Sequence, residues 1–310
     1  MQSQKSLRQW LAGRLNARDG AKTASRRAAV SNKRREQLQI ERLENRILMA
    51  ADPLSFIAQA GVAHDVTLSF KDAMGIVTIT DTYVSGGASK TDTIEKALAD
   101  ITTIDITLSA QNDKITIAND FSALAPVTIN GAGGADTLVG PSAGAAFMIT
   151  GANAGSVAGA TFTNISKVVG ADNAADSFTI SAGAALSGSA TINGIDGGVG
   201  GSNTIYGPAT GGSFLVSGPD AGIAAGISFT HVGRLQGAAN AADAFTVAAG
   251  GALSAGLDGG TGGGNTLTAG PGAQITISGP DGGAVTVGTG SVAFGNIGQL
   301  TSAAGAPSRF

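Results

Sequence analysis

Cysteine is absent from this chain, which excludes a disulfide framework and any thiol chemistry. Aromatic side chains are scarce at 5%, with one Trp and two Tyr, and charged residues make up only 13% against a usual quarter. A chain so poor in large side chains cannot build a thick globular core. No uninterrupted apolar run reaches the length of a membrane-spanning helix. The basic N-terminus is followed by no apolar stretch of the length a secretory signal peptide requires. Phosphate loops are excluded as well: Gly259-Gly260-Thr261-Gly262-Gly263-Gly264 is followed by neither Lys-Ser/Thr nor a helical pattern.

What the chain has in abundance is glycine, 48 of 310 residues, joined by Ala, Ser, Thr and Asn. Small residues let backbones approach closely, so short strands can stack around a thin core. The charge is divided along the chain. Residues 1–50 hold 12 Lys+Arg and 4 Asp+Glu, a net of +8, and the remaining 260 hold 7 and 18, a net of −11. Such asymmetry marks two physically different segments. The basic segment lacks interleaved aromatics, so nucleic acid is not an expected partner.

The main organising feature is a 67-residue repeat. Asp136-Thr137-Leu138 returns as Asn203-Thr204-Ile205, Phe147 as Phe214, Phe162 as Phe229, and Asp176-Ser177-Phe178 as Asp243-Ala244-Phe245. A third copy with deletions begins at Leu257-Asp258-Gly259-Gly260 and carries Asn265-Thr266-Leu267. Fixed-period self-similarity implies an array whose units bury their apolar edges on one another. The organisation read from these features is a disordered basic leader (1–32), an amphipathic helix (33–52), a β-rich transitional region (54–125) and β repeats over 126–306, divided at 126–190, 191–256 and 257–306. Apolar Leu38, Leu43, Ile47 and Leu48 recur at near-helical spacing in the helix, which ends before Pro53.

Period-two alternation predicts strands at Val66–Phe70, Ile76–Thr80, Ile104–Leu108 and Lys114–Ile117, with turns at Gly86-Gly87 and Asn112-Asp113. Residues 93–100 suit a helical turn or a solenoid edge. Each full repeat offers about five short strands, at 137–139, 147–149, 161–169, 177–180 and 190–193. The fold class that follows is all-β: a Gly-rich, parallel β-helix-like solenoid, with about three coils of some 22 residues per repeat. Repeated β-sandwiches are the alternative. Phe147, Ile149, Phe162, Ile165, Phe178 and Ile180 are expected inside, in a ladder with Phe214, Phe229 and Phe245.

Two resemblances bear on function. The helix ends in Leu43-Glu44-Asn45-Arg46-Ile47-Leu48-Met49, which is similar to the Leu-Glu-Pro-Arg-x-Leu-Leu motif near the N-terminus of large repetitive bacterial surface proteins. Leu43, Glu44, Arg46 and Leu48 match; Asn45 and Met49 replace the family's proline and second leucine. The resemblance implies export by a dedicated machinery, display at the bacterial surface or release outside the cell, and an extracellular ligand of unstated identity. Gly131-Ala132-Gly133-Gly134-Ala135-Asp136-Thr137-Leu138-Val139 resembles the repeats-in-toxin nonapeptide G-G-x-G-x-D-x-U-x, with Ala132 the mismatch. That resemblance implies calcium on Asp136. The later copies carry Asn203 and Asn265 there, and the nonapeptides are not in tandem. The competing reading makes each a Gly-rich corner whose Asp or Asn side chain bonds nearby backbone, and the same reading applies to Asp172, Asp176 and Asp243.

No catalytic residues are assigned. Asp196, Asp220, Asp258 and Asp281 lie in Gly-rich turns, and the recurrence of Gly218-Pro219-Asp220 as Gly279-Pro280-Asp281 argues for turn geometry. His64 and His231 read as exposed or turn residues. The function expected is that of a non-catalytic, exported, repetitive surface protein, adhesin-like or a structural spacer, and a shortened member of its family because the third repeat is incomplete. The alternative is a β-helical carbohydrate-active enzyme or carbohydrate-binding protein.

Overall fold

The computed structural model describes residues 51–188 and 194–302. The expected leader and all but the last two residues of the expected helix lie outside the described residues, with Leu43, Glu44, Arg46 and Leu48 among them. At Asp52 the chain enters the strand Asp52–Ile57. From here onward it forms one compact unit, a β-solenoid of two thirteen-stranded sheets.

Alternating sequence produces the winding. Along Ile101–Thr107 and Lys114–Ile117, the residues Ile104, Ile106, Ile115 and Ile117 are buried while Asp105 and Thr116 turn outward. β-Branched residues in this pattern suit a pleated, half-buried surface. Successive passages alternate between the two sheets and stack in parallel. Ile104 pairs with Val127 and Ile115 with Leu138, so a plain coil takes 23 residues. Leu235 with Leu257 and Phe245 with Leu267 give 22.

The repeat is longer than a whole number of such coils because it contains an antiparallel excursion. Ala146–Gly151, Ala154–Val157 and Ala160–Thr163 form a three-stranded meander within one sheet. Its equivalent in the next repeat is Ser213–Gly218, Ala221–Ala224 and Ile227–Thr230, in the opposite sheet. Single passages at Lys167–Val169, Ser177–Ile180, Gly194–Asp196 and Thr204–Tyr206 separate the two. One repeat is therefore five passages, or two and a half coils, and an odd number of passages moves each equivalent residue to the other sheet. The meanders at His64–Ala97 and Gln274–Gly295 continue the alternation, and both sheets reach the same strand number. This corrects the expected three plain coils per repeat.

The predicted ladder is inside. All nine named Phe and Ile residues are at most 2% exposed. Phe147 stacks on Phe178 with ring centroids 4.8 Å apart, and Phe214 repeats this on Phe245 at 4.6 Å. Each buried ring contributes roughly 1.5–3 kcal/mol. Glycine makes room for the rings: a Cβ on Gly140 would lie 2.6 Å from Phe147 Cζ, and one on Gly207 would lie 2.5 Å from Phe214 Cζ.

Three local expectations change. Residues 161–169 are two strands in different sheets, because Asn164 takes a left-handed φ of +57° between them. Ala154–Val157, reading Ala-Gly-Ser-Val, is a strand that its own sequence hardly signals. Residues 93–97 complete the strand Ala88–Ala97, and only Leu98–Asp100 makes a helical turn. The strand expected at 190–193 falls outside the described residues.

Candidate functional site

Immediately before a core strand, an Asp or Asn repeatedly occupies the inside of the corner. Asp113, Asp136, Asp176, Asn203, Asp243 and Asn265 are each at most 3% exposed. In each, Oδ1 accepts the backbone N–H of the equivalent residue one coil earlier: His64 to Asp113 at 2.7 Å, Asp113 to Asp136 at 2.8 Å, Ala145 to Asp176 at 2.7 Å, Asp176 to Asn203 at 3.0 Å, Gly212 to Asp243 at 2.7 Å and Asp243 to Asn265 at 3.0 Å. Three short ladders result. They satisfy backbone amides that a tight corner would leave buried without partners.

The second side-chain atom tells two kinds of corner apart. In one kind, an amide points inward and needs an acceptor. Ser109 N–H donates to Asp113 Oδ2 at 2.7 Å, Ala171 N–H to Asp176 Oδ2 at 2.8 Å and Ala238 N–H to Asp243 Oδ2 at 2.9 Å. In the other kind the equivalent residue is left-handed, Gly198 at φ +83° and Gly260 at +81°. Its amide turns out to Asp196 Oδ1 at 3.2 Å or Asp258 Oδ1 at 2.9 Å, and carbonyls face inward. Asn supplies the donor they need. Asn203 Nδ2 donates to the Gly200 and His231 carbonyls at 3.1 and 3.0 Å, and Asn265 Nδ2 to Gly262 and Asn296 at 3.2 and 3.0 Å.

Asp136 breaks this rule. Its corner is of the second kind: Ala132 is left-handed at +63°, and its amide donates to Asn130 Oδ1 at 2.9 Å. Yet the side chain is a carboxyl group, fully buried, and Oδ2 has no hydrogen-bond partner. A Cβ on Gly131 would collide with both Asp136 Oδ2 and the Asn164 carbonyl oxygen, as one on Gly197 would with Asn203 Nδ2 and the His231 carbonyl. Oδ2 thus stands where the sister corner has an amide nitrogen. Burial pushes the Asp136 carboxyl up to about 7; the Asp113 amide opposes this and the Asp113 charge adds to it.

Calcium does not fit this donor set. The ion takes six to eight oxygens, whereas Asp136 offers one free oxygen with no exposure. The neighbouring Asp113 carboxylate is already committed to the His64 amide, the Ser109 amide and the Ser109 hydroxyl at 2.7, 2.7 and 2.9 Å. At Asn203 and Asn265 an N–H donor points into the corresponding space.

His64 departs from the expected exposed or turn residue. It is 3% exposed, with Nδ1 2.8 Å from Asp81 Oδ2 and Nε2 2.9 Å from the Gln59 carbonyl. Both ring nitrogens thus have partners, and burial raises the Asp81 carboxyl while the His64 contact pulls it back in part. His231 is a left-handed turn residue at φ +55°, 2.8 Å from Asp196 Oδ1. Asp220 and Asp281 are left-handed at +47° and +54°, and Asp172 Oδ1 accepts the Val199 amide at 2.7 Å. Burial raises Asp176 and Asp243. Burial also pushes on Asp196 and Asp258, but their hydrogen bonds outweigh it and both end lowered.

The described exterior carries shallow features. A cleft of about 650 Å³ is lined by Asn119, Asp120, Ser122, Pro141 and Gly144 among others. Among the described residues, no group of three or more His, Cys, Asp or Glu is placed to hold a metal ion, and no helix is long and apolar enough to cross a membrane. No family model, curated protein or solved structure matches the chain.

Proposed function

We propose that the chain is a non-catalytic, exported, repetitive bacterial surface protein in which the solenoid serves as a spacer or contact surface. The reading is supported by where the acidic side chains go. Asp113, Asp176 and Asp243 satisfy corner amides, while Asp196 and Asp258 pair with Lys167 and Arg234 across adjacent strands at 3.0 and 3.3 Å. Recurring groups used this way build length, since each unit repeats the same contacts. The resemblance at Leu43, Glu44, Arg46 and Leu48 adds the expectation of export.

Cell fractionation with an epitope tag after Ala51 tests the reading. A tag that surface protease removes from intact cells, or that is recovered in the medium, supports it; a tag held wholly within the cytosolic fraction contradicts it. A second reading, carbohydrate binding, is favoured by the in-register outer row Thr246–Thr268–Thr301. Retention on a polysaccharide panel without turnover would select it, and turnover would remove the non-catalytic reading.

A further inference from the structure

Three corners of this solenoid share one construction. Asn130, Asp196 and Asp258 accept the amides of Ala132, Gly198 and Gly260. The same three also accept from the turn residues Asn164, His231 and Asn296, at 2.8, 2.8 and 2.7 Å. Backbone direction is therefore equivalent in all three, and so is the demand for a donor at the buried side chain. Asn203 and Asn265 meet it with Nδ2. A carboxylate at position 136 would set a bare, buried oxygen against a carbonyl, two acceptors with nothing between them, which costs the full desolvation of the anion.

We propose that Asp136 is a proton-binding rung: its carboxyl group stays neutral in the folded protein, donates Oδ2–H to the Asn164 carbonyl, and makes this corner acid-strengthened where the Asn203 and Asn265 corners are indifferent to pH. The proton does for Asp136 what the amide hydrogens do for the two asparagines. Among the described residues, no cation near the side chain competes for this role. Asp113, one coil back, turns its own oxygens to His64 and Ser109 and adds negative charge. Ser166 and Lys167, one coil forward, bond the Asp136 carbonyl through their amides, and the Lys167 ammonium is taken by Asp196 on the outer face. Lys114 pairs with Asp65, and the His64–Asp81 pair lies a further coil away. Burial raises the group to about 7, in agreement with the geometry.

The sign follows from proton counting. Between the ordinary carboxyl value of 3.8 and about 7, the folded state holds a proton that the unfolded state has released. Stability is therefore full below that window and falls as pH rises through it, by up to about tenfold in the folded-to-unfolded ratio per pH unit. Above it the penalty is complete.

The test is thermal and urea unfolding of the full chain from pH 4 to 8.5, for the natural sequence, Asp136→Asn and Asn203→Asp. The expected result is an Asp136→Asn protein that is more stable at pH 8, with an advantage that vanishes towards pH 4, and an Asn203→Asp protein that acquires a new pH dependence. Should either variant fail to fold, the infrared carbonyl band of a protonated carboxylic acid at pH 6, measured on the natural chain and on Asp136→Glu, keeps the proposal testable. Parallel stability curves for the natural chain and Asp136→Asn overturn it. So does millimolar Ca²⁺ at pH 8 stabilising the natural chain but not Asp136→Asn, since a cation would then fill the place assigned to the proton.

Discussion

Phe147 and Phe214 are equivalent residues one repeat apart, and they sit in opposite sheets of the coil. Each nonetheless meets the same neighbours, Phe178 and Gly140 for the first and Phe245 and Gly207 for the second. The half-coil left over by five passages explains how one sequence unit serves two faces.

Removing a ring tests the core. Phe147→Ala should destabilise by about 3–5 kcal/mol through lost burial and the cavity left behind, measured by urea unfolding. Gly140→Ala should cost about 1–3 kcal/mol by overpacking against Phe147. The double variant Gly140→Ala with Phe147→Leu should recover part of that loss, because the two sites share one contact. Simple additivity of the two single effects would contradict the packing described.

The same substitution should act with opposite signs at two corners. Asp176→Asn places an amide nitrogen against the inward Ala171 N–H, donor against donor, and should cost about 1–3 kcal/mol. Asp136→Asn supplies a missing donor and should stabilise by an amount of the same order at pH 8. Equal signs in a denaturant titration would contradict the division of corners by polarity.

Position 231 should accept asparagine. Asn296 is its equivalent, is left-handed at φ +55°, and donates to Asp258 Oδ1 as His231 reaches Asp196 Oδ1. His231→Asn should fall within about 0.5 kcal/mol of the natural chain. His231→Val, β-branched in a left-handed backbone, should cost about 1–3 kcal/mol. Comparable melting of the two variants would contradict the turn assignment.

Acid should act on Asp196 in the opposite sense to Asp136. Its carboxyl group is held below the ordinary range by His231, Lys167 and the Gly198 amide against the upward push of burial. The stability it contributes is present above pH 3.8 and is lost as pH falls through its lowered value. Lys167→Met should lower the melting temperature throughout the range above pH 3.8, and so narrow that acid-side loss, while leaving the slope of melting temperature against pH near pH 7 unchanged.

The strand pattern of the first coils was legible because Ile104, Ile106, Ile115 and Ile117 alternate cleanly with polar residues. The ladder Phe residues were legible because they recur at one offset. The meander was not: Ala154–Val157 carries no large side chain, and Asn164 turns the chain where Thr161–Val169 reads as one strand. Asp136 was legible as a special position, but its environment was not, since amide direction at Ala132 decides it. The His64–Asp81–Asp113 cluster was missed. Its one signal is that Asp113-Lys114-Ile115 repeats the Asx-x-apolar pattern of Asp136-Thr137-Leu138 one coil earlier.

Thiol pairing in this cysteine-free background tests the winding most directly. Met148 pairs with Thr179 on the outer face of one sheet, 31 positions on, whereas plain coils of about 22 residues would bring a position near Val169 alongside it. Disulfide formation requires Cα atoms closer than about 7 Å. The account predicts ready oxidation of Met148→Cys with Thr179→Cys and none of Met148→Cys with Val169→Cys. Efficient closure of the second pair, with the first inert, would contradict the two-and-a-half-coil repeat.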